Sequence, residues 1–252
     1  MTPLVIRQAQ LDALAEARER ELEDRLIDRL ADPFDRQSAL LKREGMRAVV
    51  KLGIERASAW GVVSERDLFV WIAMMLMLGA SFDEDPQLPW AQAELTAPGV
   101  GASQRVARTY AATLAHLDRI CGDENERLVR AIVRLRDLEL ARFEGLVGAA
   151  LVDAMMPALA HAYPEKAEAQ GRVGTHEALV AAVATAAAHD LSGGIGAALC
   201  CGLAFMVGSG FATDPQVPWV ARTLALDVDE PEKTAKLKRE VDRFIAFGLS
   251  DG

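Results

Sequence analysis

Residues 79–90 read GASFDEDPQLPW and residues 208–219 read GSGFATDPQVPW, so the chain writes one unusual phrase twice, 129 residues apart. Seven of the twelve positions are identical: Gly79/Gly208, Phe82/Phe211, Asp85/Asp214, Pro86/Pro215, Gln87/Gln216, Pro89/Pro218 and Trp90/Trp219. A glycine after an apolar run ends a helix where positive φ is wanted. Asp before Pro favours a turn whose carboxylate accepts backbone N–H bonds, and a second proline suits the first position of a new helix. The phrase therefore reads as a corner between two helices. Phe82 and Trp90, like Phe211 and Trp219, bracket that corner and are expected to pin it to a core by burying large aromatic surface.

The same offset extends outward without a gap. IRQAQLDAL (6–14) lies over LRDLELARF (135–143), pairing Leu14 with Phe143, and SERDLFVWIAMMLML (64–78) lies over GGIGAALCCGLAFMV (193–207). Two copies of roughly 115 to 125 residues are far longer than solenoid repeats, and each is large enough for its own core. The expected fold is all-α, as two tandem, pseudo-symmetric helical bundles of about five helices each, over residues 1–122 and 123–252. Their boundary is placed near Gly122.

Within a copy, Ile6, Leu11, Leu14, Leu22, Leu26 and Leu30 mark one face of a long helix over 5–31, whose EARERELEDR run is a solvated face. A second helix is expected over 37–59. Ser64 and Asp67 cap a third over 65–78, apolar all round and so the buried centre of its unit. A short helix follows Pro89, and another spans 103–118. Asp123 and Glu126 have capping-box spacing for the start of the second copy.

Composition agrees: 51% of the 252 residues are apolar but only 6% aromatic, a balance that favours helices. A net charge of −9 argues against nucleic-acid binding, which needs clustered Lys and Arg. Cys121, Cys200 and Cys201 cannot make a disulfide framework and suit free thiols in a reducing cytoplasm. The start, MTPLVIRQAQLDALAEARERE, lacks the features of a signal peptide, so a cytoplasmic location is expected. From Leu191 to Phe211 run 21 uncharged residues, long enough to imitate a membrane span. Their Gly and Ala content and missing Lys, Arg and aromatic flanks fit a central helix better, so no membrane insertion is expected.

Chemistry-bearing patterns are scarce. His116, His161, His176 and His189 show no helical metal spacing, GGIG (193–196) lacks the rest of a phosphate loop, and no nucleophile elbow occurs. Asp83 and Glu84 become Ala212 and Thr213 in the second copy, which argues against an acid/base or metal role. No catalytic, cofactor-binding or metal-binding residue is expected. Residues 145–162 and 176–211 carry few charges, pointing to an extra apolar face that packs on the first copy or on another protein.

IRQAQLDAL, GIERASAWGV (53–62) and LMLGASFDEDPQLPWAQAEL (76–95), with their F-x-x-D-P-x-x-P-W motif, resemble small helical accessory proteins of unknown function encoded in bacterial type VI secretion loci. The second copy keeps the phrase but not the Gly-Ile and Trp-Gly features, so the chain looks like a fused, diverged pair. The resemblance implies a non-enzymatic adaptor or co-chaperone, whose protein partner is an effector, an effector chaperone or a spike component. It carries over Phe82, Asp85, Pro86, Pro89 and Trp90, with Phe211, Asp214, Pro215, Pro218 and Trp219, as motif residues and candidate partner contacts. The alternative is an immunity protein, whose acidity would suit a basic toxin.

Overall fold

The computed structural model describes residues 8–249, with side chains described from residue 13 onward. Ile6 and the side chain of Leu11, assigned to the apolar face of the first helix, lie outside the described residues. The described chain is all-helical. Its helices are α1 (Gln8–Leu30), α2 (Asp35–Ala59), α3 (Glu65–Leu78), α4 (Pro89–Leu95) and α5 (Ala102–Cys121), then α6 (Glu126–Arg136), α7 (Gly148–Ala162), α8 (Pro164–Ala188), α9 (Gly194–Val207), α10 (Pro218–Leu224) and α11 (Glu230–Leu249).

The offset of 129 recurs in the backbone. Adding it to the bounds of α2, α3 and α4 gives those of α8, α9 and α10. Both long helices also kink at matched positions, Lys42 (φ 56°, ψ 177°) and Gly171 (φ 75°, ψ 161°). Local causes are visible at several ends. Ser64 Oγ accepts the N–H of Asp67 at 3.1 Å at the start of α3, while α4 and α10 both begin on a proline.

Two hydrophobic clusters form. One gathers Leu26, Leu30, Val49, Val50, Trp71, Ile72, Met74, Met75 and Phe82 from the first half, with Trp71 and Phe82 5.0 Å apart. The other gathers Phe143, Leu151, Leu159, Leu179, Cys200, Phe205, Phe211 and Leu237 from the second. Helix α9 is 14 residues long and buries ten of them, so the uncharged stretch is a central helix packed on its sides. Among the described residues, no helix is long and apolar enough to cross a membrane.

The start of the second half departs from expectation twice. Asp123 and Glu126 form no capping box: Asp123–Asn125 is a 3-10 turn, Asn125 is left-handed, and α6 begins only at Glu126. The long first helix also has no intact counterpart, because residues 137–147 pass through a 3-10 turn at Leu140–Phe143 before α7 starts. Phe143 is 0% exposed whereas the matched Leu14 is 50% exposed, and Gly145 and Gly148 take positive φ. Drawing the larger ring into the core bends the chain off the helical path. Five helices precede Gly122 and six follow it among the described residues, the addition being α6.

Candidate functional site

The repeated phrase begins as a local corner. Gly79 ends α3 at φ 103° and donates to Met75 O at 2.9 Å; Gly208 ends α9 at φ 116° and donates to Ala204 O at 3.1 Å. Asp85 Oδ1 then accepts the N–H of Gln87 at 2.9 Å, and Asp214 Oδ1 that of Gln216 at 2.8 Å. These are the turns that the Asp-Pro pairs call for.

The second carboxylate oxygen reaches across the molecule. Asp85 Oδ2 accepts from Ser209 N at 2.8 Å, and Asp214 Oδ2 accepts from Ala80 N at 2.8 Å. Gln87 Nε2 donates to Ala204 O at 2.8 Å, and Gln216 Nε2 donates to Met75 O at 2.8 Å. Each bond has a mate whose donor and acceptor are both displaced by 129 residues. The two corners thus form a reciprocal clasp in which each closes on the helix end of the other. Its groups are buried or nearly so, with Asp85 5%, Gln87 2% and Asp214 3% exposed. A hydrogen bond to a charged group contributes about 1.5–3 kcal/mol, and stranding a buried partner costs as much. The glycines are needed here twice over, for positive φ and for closeness: a Cβ on Gly79 would collide with the carbonyl oxygen of Val207, and one on Gly208 would lie 2.9 Å from Asp85 Oδ2.

The two corners differ in their electrostatic setting. Burial pushes the Asp214 carboxyl above its ordinary range, against the N–H groups of Ala80 and Gln216 that favour its charged form. Near Asp85 stands Lys166, whose Nζ donates to Met206 O at 3.2 Å and lies 5.6 Å from the Phe205 ring. Burial pulls this amine down to about 8 although the charge of Asp85 pulls it up, and part of the side chain still reaches solvent. The matched position in the first half is Gln37. His116, against Trp90 at 5.4 Å, is pushed down to about 4 by burial and by the charges of Lys166 and Arg119. Tyr163 donates to Ile120 O at 2.8 Å, and burial pushes Cys200 and Cys201 up to about 12. Lys166 and Tyr163 thus satisfy carbonyls at helix ends. Among the described residues, no group of three or more His, Cys, Asp or Glu is placed to hold a metal ion.

The phrase residues divide by depth. Phe82, Asp85, Phe211 and Asp214 are buried; Pro86, Trp90, Pro215, Pro218 and Trp219 are half-buried; Pro89 is exposed. Trp219 packs on Phe244 at 5.9 Å. Sequence reasoning left Gln87 and Gln216 out of the candidate residues, although they carry half of the clasp and their identity in both copies was the available signal. Asp83 serves the first half alone: it accepts from Arg56 Nη2 at 2.7 Å and from Trp60 Nε1 at 3.0 Å, where the second half has Ala212, Thr185 and His189.

Beside the clasp lies a cavity of about 800 Å³, open at the surface. Its floor is α9, with Ile195, Ala198, Leu199, Gly202 and Met206; its walls are Leu128, Ile132 and Leu135 of α6 and Val241 and Phe244 of α11. Leu40 and Leu41 of α2 and Met77 of α3 close one side, and the clasp residues Gly79, Gln216 and Val217 form part of its edge. Among the described residues, the charged lining is Arg36, Arg136, Lys238, Glu139 and Asp242. A largely apolar depression with a few polar groups is the usual form of a ligand or substrate pocket.

No protein-family model, curated protein or solved structure matches the chain. The likeness to type VI accessory proteins therefore rests on the quoted motifs alone.

Proposed function

We propose that the chain is a non-enzymatic adaptor or co-chaperone that acts in the cytoplasm on a protein partner, an effector, effector chaperone or spike component of type VI secretion. We read it as two tandem, pseudo-symmetric bundles, residues 1–122 and 123–252, each built on about five helices, with α6 added to the second. The matched helix bounds and the reciprocal clasp support the tandem reading.

The observation that carries the functional reading is the open apolar groove at the junction of the halves. A surface-open apolar depression of this size is where a soluble protein receives a partner segment. The phrase residues serve binding indirectly, by fixing the edge of the groove through Gln216 and Gly79.

Co-expression of the tagged full chain with the effectors, effector chaperones and spike proteins of a type VI system tests this. One component is expected to co-purify at 1:1 with the wild type and to be lost with Gly202→Leu, which fills the groove where a Cβ meets nothing within 4 Å. Recovery of none of them overturns the reading. The net charge of −9 favours a second reading, immunity to a basic toxin. Rescue of cells from a toxic effector by co-expression would select it over the adaptor.

A further inference from the structure

We infer that the first half of this chain also closes on the second half of another copy: two chains exchange residues 123–252 about a hinge at 122–125 and form a closed dimer. The inference rests on the two hydrophobic clusters and the clasp between them, and it is independent of the adaptor reading.

The contacts between the halves do not depend on which chain supplies each half. Asp85 accepts from Ser209 N and Asp214 from Ala80 N, both at 2.8 Å, and Gln87 and Gln216 donate to Ala204 O and Met75 O at the same distance. The last turn of α5 also enters the second cluster through Leu117, Ile120 and Cys121, and Tyr163 donates to Ile120 O at 2.8 Å. Cys121, Cys200 and Cys201 are free, so no disulfide ties one half to the other. The covalent link between them is the short connector after α5. An opened chain strands the donors and acceptors of the clasp, and the groups that complete them stand on any other opened copy. Two such copies satisfy each other in a closed pair, the arrangement that exchange of identical elements produces.

The connector favours opening. Three of its four residues hold positive φ: Gly122 at 73°, Glu124 at 51° and Asn125 at 63°. Residues with a side chain avoid this region, Asn less than Glu. Gly122 combines φ 73° with ψ −177°, a region open essentially to glycine, and a Cβ there would collide with the Glu126 carboxylate. Asp123, Glu124 and Asn125 are exposed, so closure of the halves, rather than packing around the turn, imposes its shape. Short hinges under strain invite exchange. Closure through a short relaxed linker acts as an effective concentration in the millimolar range, and hinge strain lowers it toward concentrations that a second copy reaches. The exchanged dimer keeps the same interface while its connectors leave the left-handed region, so hinge strain is what tips the balance.

The test unfolds the full chain in guanidinium, refolds it at about 5 and about 500 µM, and sizes it by gel filtration with light scattering. A dimer should appear at the higher concentration and persist on dilution, because its return to monomer requires the clasp to open. Gly122→Ala should raise the dimer-to-monomer ratio about tenfold, and the double variant Glu124→Gly/Asn125→Gly should lower it about tenfold. A cysteine pair separates exchange from side-by-side association. Ser81 and Gly210 are matched positions that face each other across the clasp, with the Cβ site of Gly210 at 2.8 Å from Ser81 Cβ. Cysteines there need about 1 Å of relaxation to bridge. In Ser81→Cys/Gly210→Cys the monomer should close one disulfide within its chain, whereas the dimer should carry two between chains and run at double mass without reductant. Absence of dimer from Gly122→Ala at the higher concentration, an unchanged or higher ratio in the double glycine variant, or dimers whose disulfides lie within each chain overturns the inference.

Discussion

The two flanks of the clasp start from the same plan and end differently. Around the first corner, α5 packs along α8, Trp90 lies tilted against His116, Lys166 approaches Asp85, and the backbone at Gly174 touches Pro86 so closely that a Cβ would collide with its carbonyl oxygen. Around the second, Gln37 replaces the lysine, α2 meets α11 where the Arg36 guanidinium lies 5.6 Å from the Phe247 ring, and the 800 Å³ groove lies between. For Gly45, the mate of Gly174, the atoms nearest a Cβ would belong to the Leu41 side chain, with Leu41 Cβ at 2.9 Å. The four bonds between the two corners are kept while the flanks diverge, one closing tightly and the other staying open. Cross-bonds must match on both sides to be satisfied at all, whereas flanks can drift independently.

The sharpest way to break the comparison is at its centre. Gly79→Ala forces a Cβ into the carbonyl of Val207 at φ 103° and should cost about 4 kcal/mol or more in denaturant unfolding. Gly208→Ala brings a Cβ to 2.9 Å of Asp85 Oδ2, a milder overlap, and should cost roughly half as much. Equal losses would mean that the two sides of the clasp are equally tight.

Next come the flanks. Gly174→Ala should destabilise by about 2–3 kcal/mol more than Gly45→Ala, since its Cβ would run into the carbonyl oxygen of Pro86 whereas one at Gly45 would come no nearer than 2.9 Å to Leu41 Cβ. Matching melting temperatures for the two variants would show the closed flank to be looser than its contacts imply.

A pH titration probes Asp214. The Asp214 carboxyl is raised from 3.8, so the folded state holds its proton more tightly than the unfolded chain. Its contribution to stability is full below the unfolded value and is lost as pH rises through the folded one. Melting curves should show that component in the wild type and not in Asp214→Asn, the difference being confined to the window just above 3.8. Identical pH slopes for both proteins would refute it.

The smallest effect concerns the paired kinks. Lys42 holds φ 56° and ψ 177°, a region open essentially to glycine, and its mate is Gly171. Lys42→Gly should stabilise the chain by about 1 kcal/mol in denaturant melts, whereas Gly171→Ala should destabilise it. A loss of stability in Lys42→Gly would show that the lysine side chain repays its backbone strain.

What was legible in the sequence was local. The expected third helix, 65–78, agrees with α3 at both ends because Ser64 and Gly79 mark them, and the corner turns follow from Asp85, Asp214 and the prolines. Helix α5 stops at Gly122, a glycine of φ 73°. The cross-bonds were not legible: Asp85 Oδ1 serves a neighbour two residues on, but nothing local says that Oδ2 meets Ser209, 124 residues away. Nor did the spacing of Asp123 and Glu126 reveal that a left-handed Asn125 delays α6. The groove escaped for a similar reason, since low charge over 176–211 announced an apolar face without saying how α6 and α11 would frame it.

The clasp also sets a timetable for synthesis. Ala80 and Met75 wait for Asp214 and Gln216, so the first corner leaves the ribosome with a buried donor and acceptor unsatisfied until some 130 more residues have been made. At about 5–20 residues per second that interval is on the order of ten seconds. Throughout it, the end of the apolar α3 is the natural place for a holding chaperone to sit.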